Sequence, residues 1–447
     1  MNIMRRKEAI LLLIGDIIVL FISLYLTITL RYGGLPSTIL LLNHLIPFSV
    51  LFLISLLINF IAGLYEKHTL DLKKRLPGIL TRVQIVNTII SISFFYFAPY
   101  FSITPKVTLF MYLIISLVVM VAWRMAIAEE FGSKRKYRAL LLAPYGVEAH
   151  ELYEEINNNQ RYGTLFVEKI DISTSTIKSE EILELVKSED ISLIVADFSD
   201  RRINEIMPTL YKLIFSKVNF IDIQKMYEGV FDRIPLPFID DIWFLENVSS
   251  SSKISSDIFK RIIDIVASFV LGVISLIIYP FIYIAIKLDD GGVIFSYQYR
   301  VGQNNKDIKI MKFRTMNIAN DNGKWGKEKN SITTVGNYLR KTRLDEIPQL
   351  WNVFKGDVSL VGPRPEFREA VSTYSREIPY YNVRHILKPG LSGWAQIYGK
   401  HPHHGINMEE TSNKLSYDLY YIKNRSIFLD IKIMLQTIKV LFSFVGR

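Results

Sequence analysis

The sequence predicts three parts in chain order: a membrane α-helical bundle of four spans, an α/β domain, and a mostly α-helical domain with a re-entrant membrane helix. Three observations predict this class. Hydrophobic residues make up 50% of the 447 positions, four long apolar runs fill the first third, and strand-like and helix-like segments alternate after them. The predicted boundaries are 1–130 for the bundle, 134–248 for the α/β domain and its linker, and 253–447 for the last part.

The chain carries a formal net charge of +10 and contains no cysteine. Such a charge suits nucleic acid, anionic lipid or a phosphorylated substrate, and basic loops beside membrane helices would also account for most of it. The absence of cysteine excludes a disulfide framework and cysteine-ligated zinc or iron–sulfur sites.

The four apolar runs cover residues 9–30, 45–64, 83–101 and 107–128. Each has about the 20 residues that a helix needs to cross a bilayer, and the runs that follow the first one argue against a cleaved signal peptide. Basic residues cluster before the first run, between the second and third, and after the fourth, whereas the other two loops carry only Arg31 and Lys106. The positive-inside rule therefore predicts a multi-pass protein of the cytoplasmic membrane with both ends of the bundle in the cytoplasm.

A fifth apolar run, 262–286, lies within a helix predicted over about 260–288. Its length of roughly 37 Å would cross a bilayer. However, both flanks are basic, and both flanks therefore favour the same face of the membrane. Pro280 removes a backbone hydrogen bond and breaks the helix. A re-entrant helix–break–helix satisfies both facts, and a kinked spanning helix is the alternative.

The α/β domain is predicted from alternation. Segments 138–144, 164–170, 191–198 and 217–223 are typical of buried strands, and helix-like segments lie near 147–158, 180–187 and 201–215. This order predicts a parallel sheet with crossover helices, a Rossmann-like arrangement. Only Gly146 follows the first strand where a dinucleotide site needs several glycines, so no nicotinamide cofactor is expected and a structural or regulatory role is favoured. Segments 233–241 and 249–252 are predicted as a linker.

The segment "TRLDEIPQLWNVFKGDVSLVGPRPEF" (342–367) concentrates the candidate chemistry. Apolar residues from Ile347 onward recur at helical spacing, and Gly356 provides a stop, so Asp345 and Glu346 are predicted at a helix N-terminus. A simple N-cap role would explain the two acids. The alternative is a phosphate site, because helix N-termini bind anions and several basic residues are close in sequence. These are Lys312 and Arg314 in "MKFRTM", and Arg340, Lys341, Arg343 and Arg364.

Several blocks of the C-terminal part match a known family when they are taken together: "KRIIDI", "MKFRTM", "LRKTRLDEIPQLWNVFKGDVSLVGPRPE", "KPGLSGWAQIYG" and "DLYYIKNRSIFLDIKI". The chain resembles the bacterial sugar transferase family, specifically the large monotopic polyprenyl-phosphate hexose-1-phosphate transferases. The resemblance implies transfer of sugar-1-phosphate from a UDP-hexose to undecaprenyl phosphate with release of UMP. It also implies an active site on the cytoplasmic face, a place at the start of exopolysaccharide, capsule or O-antigen synthesis, a possible homodimer and no nucleic acid partner.

The same resemblance assigns roles to residues. Asp345 would attack the sugar-bearing phosphorus and form an aspartyl-phosphate sugar, and Glu346 would bind Mg²⁺ or orient the nucleophile. A carboxylate suits this step because it is already ionised at neutral pH. Lys312, Arg314, Arg364 and Glu366 are candidate substrate contacts, and fold-supporting ion pairs are the alternative for each.

Three features stay open from sequence. The "HPHH" cluster (401–404) suits a loop better than a metal site, and Ser331, Leu391, Ser392 and Tyr398 depart from the family's usual residues, which leaves the sugar undefined. A C-terminal helix with Ile427, Ile431, Met434, Leu435, Ile438 and Phe442 on one face fits either the membrane surface or the domain core.

Two alternative functions are a nucleotide-sugar dehydratase or epimerase and a membrane scaffold. The missing glycine fingerprint argues against the dehydratase or epimerase, and the intact acid pair argues against the scaffold.

Overall fold

The structure is a computed structural model that describes residues 2–65, 76–97, 106–130, 137–159, 162–173, 179–248, 254–316, 332–399 and 407–442. The chain forms two compact units, Met1–Gly229 and Val230–Arg447. Several features considered above lie outside the described residues: most of the basic loop residues near 67–75 and 134–136, Ser331 and the "HPHH" cluster.

The N-terminal unit begins with four long apolar helices. They are α1 (Asn2–Tyr32), α2 (Thr38–Ile61), α3 (Leu76–Phe97) and α4 (Lys106–Glu130). Each contains a stretch of 21 to 24 residues that is long and apolar enough to cross a membrane, which confirms the four predicted runs. Their shared core includes Leu24, Ile28, Phe48 and Leu64.

An ion pair lies inside this bundle, at positions that sequence analysis did not single out. Arg124 of α4 donates from Nε and Nη2 to the Asp16 carboxylate of α1, at 3.1 and 2.5 Å, and both side chains are fully buried. Tyr65 and Asn59 also donate to Asp16, at 2.7 and 3.4 Å, and Arg124 donates to the Leu64 carbonyl at 2.7 Å. The pair is thus fully hydrogen-bonded and joins three segments of the bundle.

A four-stranded parallel sheet follows, with strand order β2-β1-β3-β4. The strands are β1 (Tyr137–Ala143), β2 (Thr164–Asp171), β3 (Leu193–Ala196) and β4 (Asn219–Asp222). The connecting helices are α5 (Val147–Asn158), α6 (Ser179–Ser188) and α7 (Met207–Leu213), and α8 (Ile223–Phe231) follows β4. The predicted parallel sheet and its crossover helices are confirmed. The helix predicted over 201–215 is broken instead, because Pro208 starts α7 after a separate 3₁₀ turn over Arg201–Glu205.

The segment predicted as a linker belongs to the C-terminal unit where it is described. Asp241, the last residue of 233–241, begins α9 (Asp241–Asn247), and Ile234 and Trp243 lie in a hydrophobic core with residues of the later helices. The backbone N–H of Ile234 donates to the Ser416 carbonyl at 3.0 Å, and the Trp394 indole N–H donates to the Asp232 carbonyl at 2.9 Å. The remaining predicted linker residues, 249–252, lie outside the described residues.

The C-terminal unit is mostly helical, with two short pairs of strands. Its helices are α10 (Ile254–Ser275), α11 (Tyr279–Asp289), α12 (Thr334–Lys341), α13 (Gln349–Lys355), α14 (Arg368–Glu377), α15 (Trp394–Tyr398), α16 (Met408–Asn424) and α17 (Ile427–Phe442). Antiparallel β5 (Phe295–Val301) and β6 (Asp307–Phe313) form one pair, and parallel β7 (Ser359–Val361) and β8 (Gly390–Ser392) form the other.

The fifth apolar run forms a broken helix. α10 and α11 meet at an angle of 57° across a short break, and Pro280 lies in the first turn of α11. The break falls just before Pro280, as expected for a residue that cannot donate a backbone hydrogen bond. Many apolar side chains of both helices and of the break are exposed, including Phe259, Phe269, Ile277 and Phe281. A broken helix of this kind is compatible with either a kinked span or a re-entrant loop.

The C-terminal helix α17 divides its apolar residues between two faces. Ile433 is fully buried, whereas Phe428, Ile431 and Ile438 are exposed. On the buried side, Asp430 accepts hydrogen bonds from Lys260 of α10 at 2.8 Å and from the Tyr421 hydroxyl at 2.7 Å. The helix therefore packs on the domain through one face and presents a second apolar face outward.

Candidate active site

Asp345 and Glu346 lie in a 3₁₀ turn, Leu344–Glu346, that precedes α13. The sequence analysis placed them at the N-terminus of the helix itself, and the structure corrects this. Pro348 has no N–H with which to extend the α-helical pattern backward. The Ile347 N–H therefore closes a tight turn onto the Leu344 carbonyl at 3.2 Å. The predicted stop is confirmed, because Gly356 caps α13 with a φ of 99°, a conformation that favours glycine.

The Glu346 carboxylate joins two predicted site residues from distant parts of the chain. Lys312, near the end of β6, donates from Nζ to Oε1 at 2.8 Å, and Arg364 donates from Nη2 to the same oxygen at 3.0 Å. Burial alone would raise the pKa of Glu346. The charges of Arg364 and Lys312 outweigh burial and hold this pKa well below its ordinary value. This lowered pKa favours the ionised form of Glu346, which holds both cations in place.

Asp345 has the opposite environment. It is only 8% exposed, yet its carboxylate has no hydrogen-bond or ion-pair partner among the described residues. Burial raises the pKa of Asp345, against the opposing charge of Lys312, and the neighbouring Glu346 raises this pKa further. A buried carboxylate that the fold does not saturate is available to an incoming group.

Arg340 is a further cation of this site; it was one of the basic residues noted near the acid pair in sequence, but it was not among the predicted substrate contacts. Its Nε donates to the Thr315 hydroxyl at 3.0 Å, and its charge acts on Asp345 and lowers the pKa of that carboxyl. The helix that carries it, α12, lies directly on the chain after β6, since a Cβ at Gly336 would fall 2.2 Å from the Thr315 carbonyl oxygen. The sequence signal was present in the basic run before Asp345, but only this packing brings Arg340 to the acid pair.

Arg314 lies close to the site but is held by the fold. It is 3% exposed and forms an ion pair with Asp290 at the end of α11. Its Nε donates to the Val293 carbonyl at 2.7 Å, and Nη1 donates to the Met316 carbonyl at 3.4 Å. These contacts favour the supporting alternative for Arg314 over the predicted substrate contact.

Glu366 is likewise engaged by protein groups. It forms an ion pair with Lys414 of α16, and Arg384 lies nearby in an ion pair with Asp418 at 2.7 Å. Burial would raise the pKa of Glu366, but Lys414 and Arg384 outweigh it and lower this pKa to about 2. Arg384 also donates to the backbone carbonyl of Arg364 at 3.0 Å. The network therefore contacts the backbone of Arg364, and it favours a supporting role for Glu366.

Asn352 of α13 connects the helix after the acid pair to the strand that carries Lys312. Its side-chain oxygen accepts from the Met311 N–H at 3.0 Å, and its nitrogen donates to the Lys309 carbonyl at 2.8 Å. The amide thus bonds to β6 as a neighbouring strand would. In sequence, Asn352 is one polar position within an apolar helix pattern, and nothing local identified this contact.

The broken helix also holds α13. Arg261 of α10 donates to the carbonyls of Val353 and Phe354 at 2.7 and 2.8 Å, which satisfies backbone groups at the end of α13. Gly272 of α10 lies against the Trp351 ring, since a side chain there would begin 3.7 Å from it. The apolar helix pair and the acid-bearing turn are therefore one packed assembly.

The carboxylates of Asp345 and Glu346 have oxygens that no described residue contacts and that could bind a cation. Both contacts of Glu346 use Oε1, so Oε2 and both Asp345 oxygens have no protein partner within the described part of the chain. No group of three or more His, Cys, Asp or Glu side chains among the described residues could hold a metal ion. Mg²⁺ in phosphoryl-transfer sites is usually bound by one or two carboxylates plus substrate phosphates, so the residues present fit that ion.

Residues 255–444 match the family model for bacterial sugar transferases. One relative is a UDP-N-acetylgalactosamine-undecaprenyl-phosphate N-acetylgalactosaminephosphotransferase of Aeromonas hydrophila. The chain is 43% identical to it over 168 residues, and the match covers 36% of this chain and 38% of that protein. It is 40% identical over 185 residues to the UDP-glucose:undecaprenyl-phosphate glucose-1-phosphate transferase of Escherichia coli K12, covering 40% and 39% of the two chains. The chain thus matches less than half the length of each of these relatives.

A shorter relative is matched almost completely. The uncharacterized sugar transferase EpsL of Bacillus subtilis 168 is 38% identical over 188 residues, which are 42% of this chain and 89% of that protein. The region matched by the family model, 255–444, includes the acid pair, both strands of the β5–β6 pair and the basic residues around them. The chain therefore belongs to the bacterial sugar transferase family.

Proposed function

We propose that this protein transfers sugar-1-phosphate from a UDP-hexose to undecaprenyl phosphate and releases UMP. The product would be an undecaprenyl-diphosphate sugar, the starting lipid of exopolysaccharide, capsule or O-antigen synthesis. The names of the Aeromonas hydrophila and Escherichia coli relatives support this reaction class, since both describe sugar-phosphate transfer to undecaprenyl phosphate. They differ in the sugar, which is left as an outcome of the experiment below.

One observation carries the proposal: the buried Asp345 carboxylate has no protein partner, while Glu346 beside it holds two cations. In the first step, an Asp345 oxygen attacks the phosphorus that bears the sugar. The bond from this phosphorus to the bridging oxygen of the diphosphate breaks, and UMP leaves. Asp345 is then esterified to the sugar phosphate, so the step needs no separate base.

In the second step, a phosphate oxygen of undecaprenyl phosphate attacks the same phosphorus. The bond between Asp345 and phosphorus breaks, which restores the carboxylate and completes the new diphosphate. Both steps bring anions together, and positive charge must offset their repulsion. Lys312, Arg364 and Arg340 would supply this charge, because Lys312 and Arg364 are held on Glu346 and the charge of Arg340 acts on Asp345.

A bound Mg²⁺ would add charge neutralisation on the phosphates. Glu346 Oε2 would hold the ion, with substrate phosphate oxygens as further ligands. Arg314 and Glu366 would support the site through Asp290 and Lys414 instead of touching substrate.

The membrane arrangement belongs to the same proposal. The α10–α11 pair would enter and leave the bilayer on one face, as its basic flanks and its 57° break favour. Lys260, Arg261 and Lys287 flank the pair and would stay with the active site on the cytoplasmic side of the inner membrane. The parallel-sheet domain would be a Rossmann-like module without a dinucleotide, and a homodimer is compatible with this arrangement.

The proposal is tested by incubating the membrane-embedded protein with radiolabelled UDP-sugars and undecaprenyl phosphate. Donors with N-acetylgalactosamine, glucose and galactose form the panel. We expect label to enter the lipid fraction with one donor class, and UMP to appear in equal amount. No lipid label with any donor would contradict the proposed function.

The covalent step has its own measurement. Without lipid acceptor, intact-mass analysis should show a sugar-phosphate adduct that maps to Asp345 and is absent in Asp345→Asn. Asp307→Asn is a matched control, because Asp307 is an exposed aspartate of the same unit whose carboxylate, among the described residues, pairs only with Arg368. Transfer without any adduct would replace the two-step mechanism by direct displacement.

A further inference from the structure

The α7 segment of the N-terminal unit, here α7 together with the 3₁₀ turn Ile214–Ser216 that follows it, carries apolar residues on two opposite sides. Leu210 and Leu213 are buried in the core of the α/β domain. On the outer side lie Tyr211 and Phe215, which are 62% and 78% exposed, and Ile214 between them. The two rings contact each other edge-on with centroids 5.9 Å apart. We call these three outer residues the Tyr211–Phe215 face.

An outer face of this composition is unusual for a helix in water. A helix on the surface of a globular domain normally has one apolar face and one polar face. The neighbouring α6 follows that rule, since its outer residues include Glu180, Glu181, Glu184 and Lys187. Exposed apolar patches with flanking polar residues mark interaction surfaces.

The sheet topology places the Tyr211–Phe215 face at one edge. All four strands are parallel, so their first residues share an edge, and Asn219 of β4 is level with Leu193 of β3, which is level with Ala139 of β1. The α7 segment leads directly into β4, so Ile214 and Phe215 lie at this amino edge.

The amino edge is tied to a membrane helix. α4 ends at Glu130, three residues beyond its apolar span, and β1 begins at Tyr137. Seven residue steps reach at most about 25 Å even when the chain is fully extended. The start of β1, and with it the amino edge of the sheet, is therefore held within that distance of the end of α4.

The charges around the face favour a lipid surface. Between Met207 and Val218 the only charged residues are Lys212 and Lys217, and both are exposed. Aromatic residues with neighbouring lysines are typical of segments that lie at the bilayer interface, where lysine attracts anionic headgroups. We propose that the Tyr211–Phe215 face docks on the surface of the bilayer, with Lys212 and Lys217 at the level of anionic phosphates.

The absence of cysteine from the sequence allows single-site labels in the full chain. Phe215→Cys and Tyr211→Cys report on the proposed face. Val147→Cys is a matched control: Val147 is also 78% exposed, but it follows β1 at the opposite edge of the sheet. Each variant is labelled with bimane and reconstituted in vesicles of equal parts phosphatidylcholine and phosphatidylglycerol.

Quenching of the label by brominated lipids and by aqueous iodide separates the outcomes. We expect brominated lipid to quench the labels at 211 and 215 at least about twofold more than the label at 147, and iodide to show the reverse order. Equal iodide quenching at 215 and 147 would overturn the proposal and leave the face in water. Protection of 211 and 215 from both quenchers would overturn it as well and would mean that protein covers the face.

Discussion

Each of the two units contains a buried aspartate among cationic and polar side chains. The two aspartates differ in whether described residues donate hydrogen bonds to the carboxylate. In the helix bundle, Asp16 accepts hydrogen bonds from Arg124, Tyr65 and Asn59. In the C-terminal unit, Asp345 is also buried, but no described residue bonds to it, and Glu346 takes the nearby Lys312 and Arg364. A saturated carboxylate stabilises a fold, whereas an unsaturated one beside organised cations is ready to react.

The largest expected effect separates these two aspartates. Asp345→Asn should lower sugar-phosphate transfer by at least about 10⁴-fold, because the nucleophile is lost, while thermal unfolding stays near that of the wild type. Asp16→Asn should destabilise the protein by about 3–5 kcal/mol, because Arg124 becomes a buried charge without a counterion. Transfer per folded molecule should then be retained. Radiolabel transfer and thermal unfolding of both variants in the same detergent check the comparison.

The comparison would fail if either variant showed the effect that is expected of the other. A strong loss of stability in Asp345→Asn would mean that the fold depends on this carboxylate. Inactive but fully folded Asp16→Asn would mean that the bundle pair takes part in the reaction.

The next effect concerns the cations that Glu346 organises. Lys312→Met should lower the transfer rate by about 10²-fold, because one positive charge near the developing phosphate charge is removed. The charge of Lys312 lowers the pKa of Asp345, so its loss should raise that pKa. A raised pKa moves the acid limb of the pH–rate profile to higher pH, because the Asp345 carboxyl loses its proton, and can attack, only at higher pH.

Initial rates across the acid limb measure this shift. Lys309→Met is the matched control, since it removes the same charge from an exposed position on the same strand, where Lys309 lies over the Tyr297 ring. An acid limb that is unchanged or displaced to lower pH in Lys312→Met would contradict the assigned electrostatics.

A smaller effect is expected from Asn352, which acts through β6. Asn352→Ala should lower transfer about tenfold in the wild-type background, because β6 loses the amide that bonds on both sides of Ile310 and fixes the start of the Lys312 segment. In the Lys312→Met background the same change should cost less than about twofold, because the affected group is already gone.

A double-mutant cycle of transfer rates checks this coupling, with the exposed Asn337→Ala of α12 as control. Losses that multiply would mean that Asn352 supports the fold independently of Lys312. Unfolding measurements on the same variants separate that result from a general loss of stability.

The smallest effect on chemistry is expected at Glu366. Its folded pKa of about 2 lies below the ordinary value of 4.5, so its contribution to stability is present above pH 4.5 and is lost as pH falls toward 2. Glu366→Gln should therefore lower stability at neutral pH and flatten its pH dependence over that interval. Transfer at saturating substrate should change only a few-fold, in proportion to the folded fraction. A much larger loss of transfer, with stability intact, would instead support the predicted role of Glu366 as a substrate contact.

Much of the architecture could be predicted because it depends on local patterns. The lengths of the apolar runs predicted α1 to α4, the alternation of apolar and amphipathic segments predicted β1 to β4, and Pro280 predicted the break between α10 and α11. Segment length, side-chain periodicity and a missing N–H act within a few residues, so the sequence displays them directly. The acid pair and its stop at Gly356 were visible for the same reason.

The assignment of partners to charges was decided by tertiary structure. Lys312 and Arg364 come to Glu346 from 34 and 18 residues away, and Asp16 meets Arg124 across 108 residues. Sequence alone could not tell that Arg314 bonds to Asp290, that Arg340 reaches the site, or that Glu366 bonds to Lys414. A charge acquires its role from the groups that surround it after burial, and those groups are brought together by packing between elements that no local pattern relates.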